Sequence, residues 1–538
     1  MVNAKALRFV TACLMLAVAP LVASRADDER QSLEELRNTV VNLLQALVDQ
    51  GVISKEKAQQ MVKAAQDKAA ADAAAVAKAE QGAVRVPYVP QIVKDEIAKQ
   101  VEQEVKPEVV AGVVNEAKAE KWGVPGALAD WLTRTRLYGD VTLREEALFY
   151  NGANAPEFNY YGINQAGGIA QAGENAYLDT TENRIRFRGR ARLGLESEIT
   201  DSITTGLRIV TGNTSDLVSE TQTFDGTEPY TIGFDQAYIR FDERNLQRFP
   251  WLSAVVGRFL NPYDTPTDLI FHKDLTFTGF ATTGRLGLGD GSPEQTHIFL
   301  TVGADQLQEI EFSPQDKWMV GSQLGSVIRF NDTQRLRVAA AFYDYFNVTG
   351  RLNPADEPGL YNYTAPQFMR WGNTVFNIAN SPTGTTQLFA YASKFRLVDL
   401  NGTYTYMVGP YTLDVTADAV RNFGFHEAFV EANTGYYVAP RTKGYQAQAS
   451  FGNPATLSLG AWRGTVGYRY LQRDAVIDAY TDSDFHYFGG TNARGYYIVG
   501  DVGVAHNTWV RVRYLSANQI DGPTFDVDTL QLDLNTRF

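Results

Sequence analysis

The stretch NRIRFRGRARLGLESEI, residues 183–199, carries five arginines on alternate positions. Successive side chains of a β-strand point to opposite faces, so an extended conformation places these arginines together on one face. The arginines are Arg184, Arg186, Arg188, Arg190 and Arg192, and the positions between and after them hold Ile185, Phe187, Gly189, Ala191, Leu193 and Leu195. The pattern predicts a two-faced strand with like charges along one side.

The whole chain is acidic. It has 538 residues, a net charge of −13 and a hydrophobic fraction of 44%. The apolar fraction argues against general disorder, and the negative charge argues against a nucleic-acid partner, because proteins that bind phosphates are normally basic. After residue 26 no apolar run reaches the ~18 residues that a transmembrane helix needs. Membrane insertion would therefore require β-strands.

The N-terminal segment 1–26 has the features of a secretory signal peptide. Lys5 and Arg8 precede an apolar stretch, and the small residues Ser24 and Ala26 are placed for cleavage before Asp27. The single cysteine, Cys13, lies inside this segment. We therefore expect neither disulfides nor thiolate metal sites in the mature chain, and we expect no cofactor and no metal.

Residues 27–126 are predicted to be helical. Near the start of this segment, five apolar residues alternate three and four positions apart, which is the spacing of a coiled coil. These residues are Leu33, Leu36, Val40, Leu43 and Leu47. Two interpretations remain open, a helical hairpin packed on itself and helices from several subunits that meet.

Strand-like runs dominate the chain from residue 127 to residue 538. Tyrosine and phenylalanine become frequent there, and lysine is reduced to Lys273, Lys317, Lys394 and Lys443. The predicted strands are 135–149, 183–199, 203–213, 233–242, 252–260, 278–288, 296–306, 317–330, 335–347, 391–407, 411–421, 441–452, 457–473, 494–506, 509–518 and 526–538. The connectors alternate between short turns and long loops, a pattern typical of antiparallel barrels that span a membrane.

The last strand has the clearest alternation. Leu530, Leu532, Leu534 and Phe538 share one face, while Thr529, Gln531, Asp533, Asn535 and Arg537 share the other. The fold prediction is therefore an all-β membrane protein, an antiparallel transmembrane β-barrel of about 16 strands over 127–538. It follows the α-helical or coiled-coil segment 27–126. A barrel of ~16 strands leaves an aqueous channel, so its lumen accepts charged residues.

The arginines are predicted to face this lumen, because an arginine facing lipid at mid-bilayer costs roughly 2–4 kcal/mol. A soluble β-sandwich would also accept an exposed arginine row, but its apolar face would cover a dry core. The predicted pore-lining residues are Arg184, Arg186, Arg188, Arg190, Arg192, Arg134, Arg136 and Arg144. Single candidates are Arg208, Arg240, Arg258 and Arg285, and Arg335 alternates with Arg337 as Arg511 does with Arg513.

Loop 261–277 carries the carboxylates predicted to oppose these arginines. Asp264, Asp268 and Asp274 lie in it, with His272 and Lys273 beside them. If the loop folds into the barrel, these residues form a constriction with a transverse field. The alternative is that the arginines pair with Glu146, Glu196 and Glu198 and stiffen the wall.

Several stretches resemble the bacterial "putative porin" family of outer-membrane channels. They are LLQALVDQGVISKEKAQQM, VRVPYVPQIVKDEI, LADWLTRTRLYGDVTLREE, VVGRFLNPYDTPTDLIFHKDLTFTGFA and DTLQLDLNTRF. The resemblance implies an outer-membrane pore for small hydrophilic solutes and ions, with its N-terminal segment in the periplasm. The aromatic C-terminal end resembles the terminal signal of outer-membrane proteins. A departure at Phe271-His272-Lys273, where relatives carry an aromatic residue and an acid, leaves the ion preference open.

The expected partners are outer-membrane lipid, permeating solutes and two further copies of the chain. A homotrimer is implied by resemblance to general porins and is allowed by the heptads. Alternative functions are a substrate-selective channel, with loop aromatics stacking on sugars, and an anchor that contacts the cell wall through the N-terminal helices. We expect no enzymatic activity, because the histidines lie at no catalytic spacing. They are His272, His297, His426, His486 and His506.

Overall fold

The computed structural model describes residues 133–538 except 213–215, 219–220, 225, 228, 382–383 and 488, together with positions 57, 59–60, 63–64 and 67–68. The described positions between 57 and 68 are helical. The predicted signal peptide 1–26 and the remainder of the predicted helical segment 27–126 lie outside the described residues. None of the helices that the described residues form is long and apolar enough to cross a membrane.

The 16 long strands follow one another in antiparallel order. They are β1 (Thr135–Tyr150), β2 (Arg184–Glu198), β3 (Ile203–Thr211), β4 (Ile232–Arg244), β5 (Pro250–Leu260), β6 (Thr276–Gly287), β7 (His297–Gln308), β8 (Lys317–Asn331), β9 (Gln334–Phe346), β10 (Arg396–Val408), β11 (Tyr411–Asn422), β12 (Lys443–Gly452), β13 (Trp462–Leu471), β14 (Ala493–Ala505), β15 (Thr508–Gln519) and β16 (Asp526–Arg537). Each corresponds to one predicted strand, so the predicted barrel is confirmed.

The first strand closes the barrel. On β1, Leu143 pairs with Gly189 of β2 on one side and with Leu534 of β16 on the other. A short strand, Gln222–Thr223, adds a local pairing to β2. Because every long strand has a neighbour on both sides, the closed sheet leaves no row of unpaired backbone groups, as a β-structure in a bilayer requires.

The two rims of the barrel differ. Short connectors, such as 332–333 and 409–410, form the short-turn rim, and long loops form the long-loop rim. The long loops contain the helices Tyr160–Ala166, Ile169–Ala172 and Glu427–Thr434, the 3-10 turns Gly173–Ala176 and Asn362–Thr364, and the strand pairs Glu157–Phe158 with Tyr177–Leu178 and Val375–Asn377 with Phe389–Tyr391.

The strand pair Val375–Asn377 with Phe389–Tyr391 explains the largest boundary difference. The apolar run predicted as a strand from residue 391 joins the barrel only at Arg396. Its preceding residues pair within their own loop instead. The strand predicted from residue 457 likewise begins at Trp462, because a wide turn precedes it in which the Trp462 amide donates to Asn453 Oδ1.

The apolar face of each strand points outward. On β16, Leu530, Leu532 and Leu534 are each more than 40% exposed, whereas Gln531 and Asp533 are buried inside the barrel. On β2, Ile185 and Phe187 are exposed, and the intervening arginines face the lumen. A soluble protein buries its apolar residues, so this reversed polarity matches a sheet that is surrounded by lipid.

Candidate functional site

The loop between β5 and β6, residues 261–275, enters the barrel. Its Asp274 contacts Arg190 and Arg192 on β2, at 2.9 and 2.7 Å. At its other end, Asp264 Oδ2 lies 2.6 Å from Arg337 Nε on β9. Since β2 and β9 belong to different sides of the closed sheet, the loop crosses the lumen.

Apolar contacts hold the middle of this loop. Leu269, Ile270 and Phe271 are almost completely buried inside the barrel. The ring of Phe271 makes edge contacts with Phe277 on β6 and Tyr343 on β9, with centroid distances of 5.1 Å. The middle of the loop is therefore packed against the inner wall of the barrel through apolar contacts.

A second segment, residues 472–492 between β13 and β14, also enters the lumen. Its residues from Asp474 to Ala479 are buried, and it bonds directly to the first loop. Thr481 Oγ1 donates to the Asp268 carbonyl at 2.9 Å, and the His272 amide donates to the Tyr480 carbonyl at 2.7 Å. The sequence pattern indicated only a long loop here. The apolar run Ala475–Ile477 was the available signal for insertion.

The β2 arginines form close ion pairs with carboxylates from two parts of the chain, strand β1 and the loop 261–275. Arg188 Nη1 lies 3.0 Å from Glu146 Oε2 on β1, and Arg186 contacts the same carboxylate. Arg190 and Arg192 contact both Asp140 on β1 and Asp274 of the loop. All four of these distances lie between 2.7 and 3.2 Å. The side chains of Arg186, Arg188, Arg190 and Arg192 are only 11–14% exposed.

The inserted segment 472–492 contributes further carboxylates to this network. Asp484 Oδ2 lies 2.8 Å from Arg144 Nη1 on β1 and 3.0 Å from Arg513 Nη1 on β15. Arg144 also bonds to Asp533 on β16, at 2.7 Å from Nε to Oδ1. We refer to Arg144, Arg186, Arg188, Arg190, Arg192 and Arg513, with these carboxylates, as the arginine wall.

Asp274 remains charged within the arginine wall. Burial alone would raise the pKa of its carboxyl group, but the guanidinium groups of Arg190 and Arg192 outweigh burial and hold that pKa well below its usual range. Its backbone amide donates to His272 Nδ1 at 3.0 Å. The loop therefore presents a permanent anion to two cations of the barrel wall.

The other predicted site residues lie outside this network. Arg134 contacts Asp201 at the short-turn rim, and Arg136 lies 3.5 Å from Glu196 with a side chain that is 70% exposed. Arg184 is exposed at the long-loop end of β2. Lys273 is exposed, and its backbone amide donates to Asp268 Oδ1. A pore-lining or constriction role for these residues stays a prediction.

A different group of arginines faces the short-turn half of the lumen. They lie near the ends of β4, β6 and β9 that approach the short-turn rim, and the three on β4 and β6 line open space below the loop 261–275. These residues are Arg240, Arg244, Arg285 and Arg337, and we refer to them as the vestibule arginines. The side chains of Arg240, Arg244 and Arg337 are 35%, 41% and 52% exposed.

Comparison with known proteins identifies one family to which the chain is similar over most of its length. The model of a family described as "Putative porin" matches residues 37–538. A search of curated proteins finds no match.

Among solved structures, OmpF of Salmonella typhi is 13% identical, with 75% of this chain and 97% of that chain covered at a TM-score of 0.39. OprB of Pseudomonas putida is 10% identical, with 78% and 97% covered at 0.42. The outer membrane channel DcaP of Acinetobacter baumannii is 10% identical, with 75% and 97% covered at 0.37.

Proposed function

Because this chain belongs to the "putative porin" family, we propose that it forms a water-filled channel in the bacterial outer membrane, through which small hydrophilic solutes and ions diffuse passively. The observation that carries this proposal is the polarity of the closed sheet. Leucines of β16 face outward while Gln531 and Asp533 of the same strand face inward. A lipid-facing apolar surface around a polar lumen is the arrangement that a channel requires.

Reconstitution tests the proposal directly. Purified protein added to planar bilayers is expected to produce discrete conductance steps, and liposomes that contain it are expected to swell in solutions of small sugars. Heat-unfolded protein in the same detergent serves as the control for membrane damage. A conductance equal to that of protein-free lipid would reject the channel and would favour the anchor function.

We infer that the loop 261–275 and the segment 472–492 together form the constriction of this channel. Both cross the lumen, and Thr481 joins one to the other through hydrogen bonds to the carbonyls of Asp268 and Leu269. The arginine wall holds both segments by ion pairs to Asp274 and Asp484. Deleting 474–487 is expected to raise the single-channel conductance, and an unchanged conductance would contradict this assignment.

We also propose that three copies associate, with β1 in the contact surface. Glu145 lies on the outer face of β1, opposite Phe187 of β2 and Leu532 of β16. A carboxylate that faces hydrocarbon is unfavourable, and a neighbouring subunit with a polar partner would remove it from lipid. This position therefore supports an interface between barrels.

Replacement of Glu145 with leucine tests whether this residue faces lipid or a neighbouring subunit. At an interface, Glu145→Leu removes a polar contact and is expected to lower the fraction of crosslinked trimer. Thr282→Leu is the control, because Thr282 lies on the outer face of β6 between Ala254 and Val302. An undiminished trimer in Glu145→Leu would show that this residue makes no contact between subunits.

A further inference from the structure

A cavity of about 370 Å³ lies inside the barrel near the short-turn rim. Residues of β4, β5 and β6 line it, together with Pro262 at the start of the inserted loop. The polar groups that line it are Arg240, Asp242, Arg244, Ser253, Thr283 and Arg285. The cavity is within the range of about 300–1,000 Å³ that is typical of small-molecule sites.

The cavity contains more positive than negative charge. Arg240 Nε and Arg244 Nη2 approach the same oxygen of Asp242, at 2.9 and 3.5 Å. Arg285 Nη1 instead donates to two neutral groups, the Pro250 carbonyl at 3.2 Å and Ser253 Oγ at 2.9 Å. One carboxylate therefore faces three guanidinium groups.

Charges just beyond the lining do not cancel this excess. Glu196 Oε2 lies 3.9 Å from Arg240 Nη1, a long contact that Glu196 shares with Arg136. Asp264 is already bonded to Arg337, which is the fourth vestibule arginine. In the arginine wall a carboxylate contacts each of the β2 guanidiniums, whereas in this cavity Arg285 donates to neutral groups.

We propose that this cavity binds the oxyanion group of a small solute, a carboxylate or a phosphate. The proposal rests on the channel function and names the class of solute that the channel favours. A guanidinium is a planar fork of donors that matches both oxyanions, and Ser253 and Thr283 add hydroxyl groups. Because Arg240 and Arg244 stay partly hydrated, the anion is held weakly enough to leave again, as conduction requires.

Competition with chloride tests the proposal. Phosphate or succinate, added to both chambers of a planar bilayer in potassium chloride, is expected to reduce the chloride current in a concentration-dependent way. In Arg285→Gln the half-blocking concentration should rise about tenfold, the effect of losing one charged hydrogen bond. Arg511→Gln is the matched control, because Arg511 lies in the same half of the lumen and is bonded twice to Asp501. We expect it to leave the block unchanged.

Comparison of phosphate with succinate shows whether the cavity recognises phosphates, carboxylates or both. A block by both supports recognition of the shared chemistry, and a block by only one assigns the site to that class. The proposal is overturned if neither anion reduces the current of a conducting channel. It is also overturned if the half-blocking concentration is the same in Arg285→Gln as in the wild type. Should Arg285→Gln fail to insert, Arg244→Gln provides the same test, because the Arg244 side chain is 41% exposed and makes only a long contact.

A binding measurement separates this proposal from the channel itself. Broadening of the ³¹P resonance of inorganic phosphate by the detergent-solubilised trimer or monomer does not depend on conductance. Broadening that Arg285→Gln abolishes supports the anion site even if no current is seen, in which case only the channel function falls. A conducting protein that leaves the phosphate resonance sharp would reject the anion site and retain the channel.

Discussion

The arginine wall and the vestibule arginines use the same side chain in two different environments. Arg186, Arg188, Arg190 and Arg192 are 11–14% exposed and contact carboxylates at close distances. Arg240 and Arg244 are 35% and 41% exposed and share one carboxylate. A row of arginines inside a barrel therefore does not by itself determine which ions pass. What decides its role is how far carboxylate partners and burial together shield its charge from the water of the lumen.

The two environments give ion pairs of different energetic weight. Removing one partner of a buried ion pair leaves an uncompensated charge in a medium of low polarity and is strongly destabilising. An exposed ion pair contributes little to stability, because water replaces the lost partner. We therefore expect substitutions in the arginine wall to act on folding and substitutions in the vestibule to act on permeation.

The largest effect is expected at Glu146, the buried carboxylate that contacts Arg186 and Arg188. Glu146→Gln removes the charge and should lower the free energy of unfolding by about 3–5 kcal/mol. Urea unfolding followed by tryptophan fluorescence measures it. Glu196→Gln is the control, because Glu196 is 24% exposed and its arginine contacts are 3.5 and 3.9 Å long. Equal losses of unfolding free energy in the two variants would show that the buried ion pairs of the arginine wall are no more important for stability than the exposed contacts.

The second effect compares the inner and outer faces of one strand. Leu532→Arg places a charge on the lipid-facing side of β16 and should lower the free energy of unfolding by about 2–4 kcal/mol. Thr529→Ser, on the inner face of the same strand, should change it much less. Folding yield in lipid vesicles, read from the heat-modifiable mobility on gels, provides the measurement. Similar yields would show that the assigned faces are wrong.

A smaller effect on stability, but a clear effect on permeation, is expected in the vestibule. Arg240→Gln and Arg244→Gln should each lower the free energy of unfolding by less than about 1 kcal/mol. Both should lower the permeability of chloride relative to that of potassium, because they remove positive charge from the lumen. Reversal potentials in asymmetric potassium chloride detect the change. If they match those of Arg511→Gln, the vestibule does not control ion preference.

The smallest effect is expected from mild acid. The pKa of Asp274 in the folded state lies well below its unfolded value of about 3.9, because Arg190 and Arg192 outweigh the effect of burial. Its ion pairs therefore contribute fully above about pH 4 and weaken only as the pH falls further. We therefore expect Asp274→Asn to leave the dependence of the single-channel conductance on pH between pH 8 and pH 5 as it is in the wild type. A conductance step in this range that Asp274→Asn removes would show that this carboxyl group titrates near neutrality.

The strands and their faces were predictable because their signal is local. Period-two alternation in a segment such as 526–538 depends only on the backbone geometry of a strand and on the cost of a charge in lipid. Each of the predicted strands is present, and the outward position of Leu530, Leu532 and Leu534 matches the prediction. The family was also recognisable from several stretches spread along the chain.

The partners of the arginines were not predictable in the same way. Glu146 was named in advance as a partner, but Asp484 and the insertion of 472–492 were not, and Asp274 was expected to face the arginines across water. These contacts join residues separated by tens to hundreds of positions, and no local pattern records them. The sequence by itself determined a closed barrel with arginines inside. Only the tertiary structure decided which arginines are neutralised, because the path of a loop through the lumen depends on packing against distant strands.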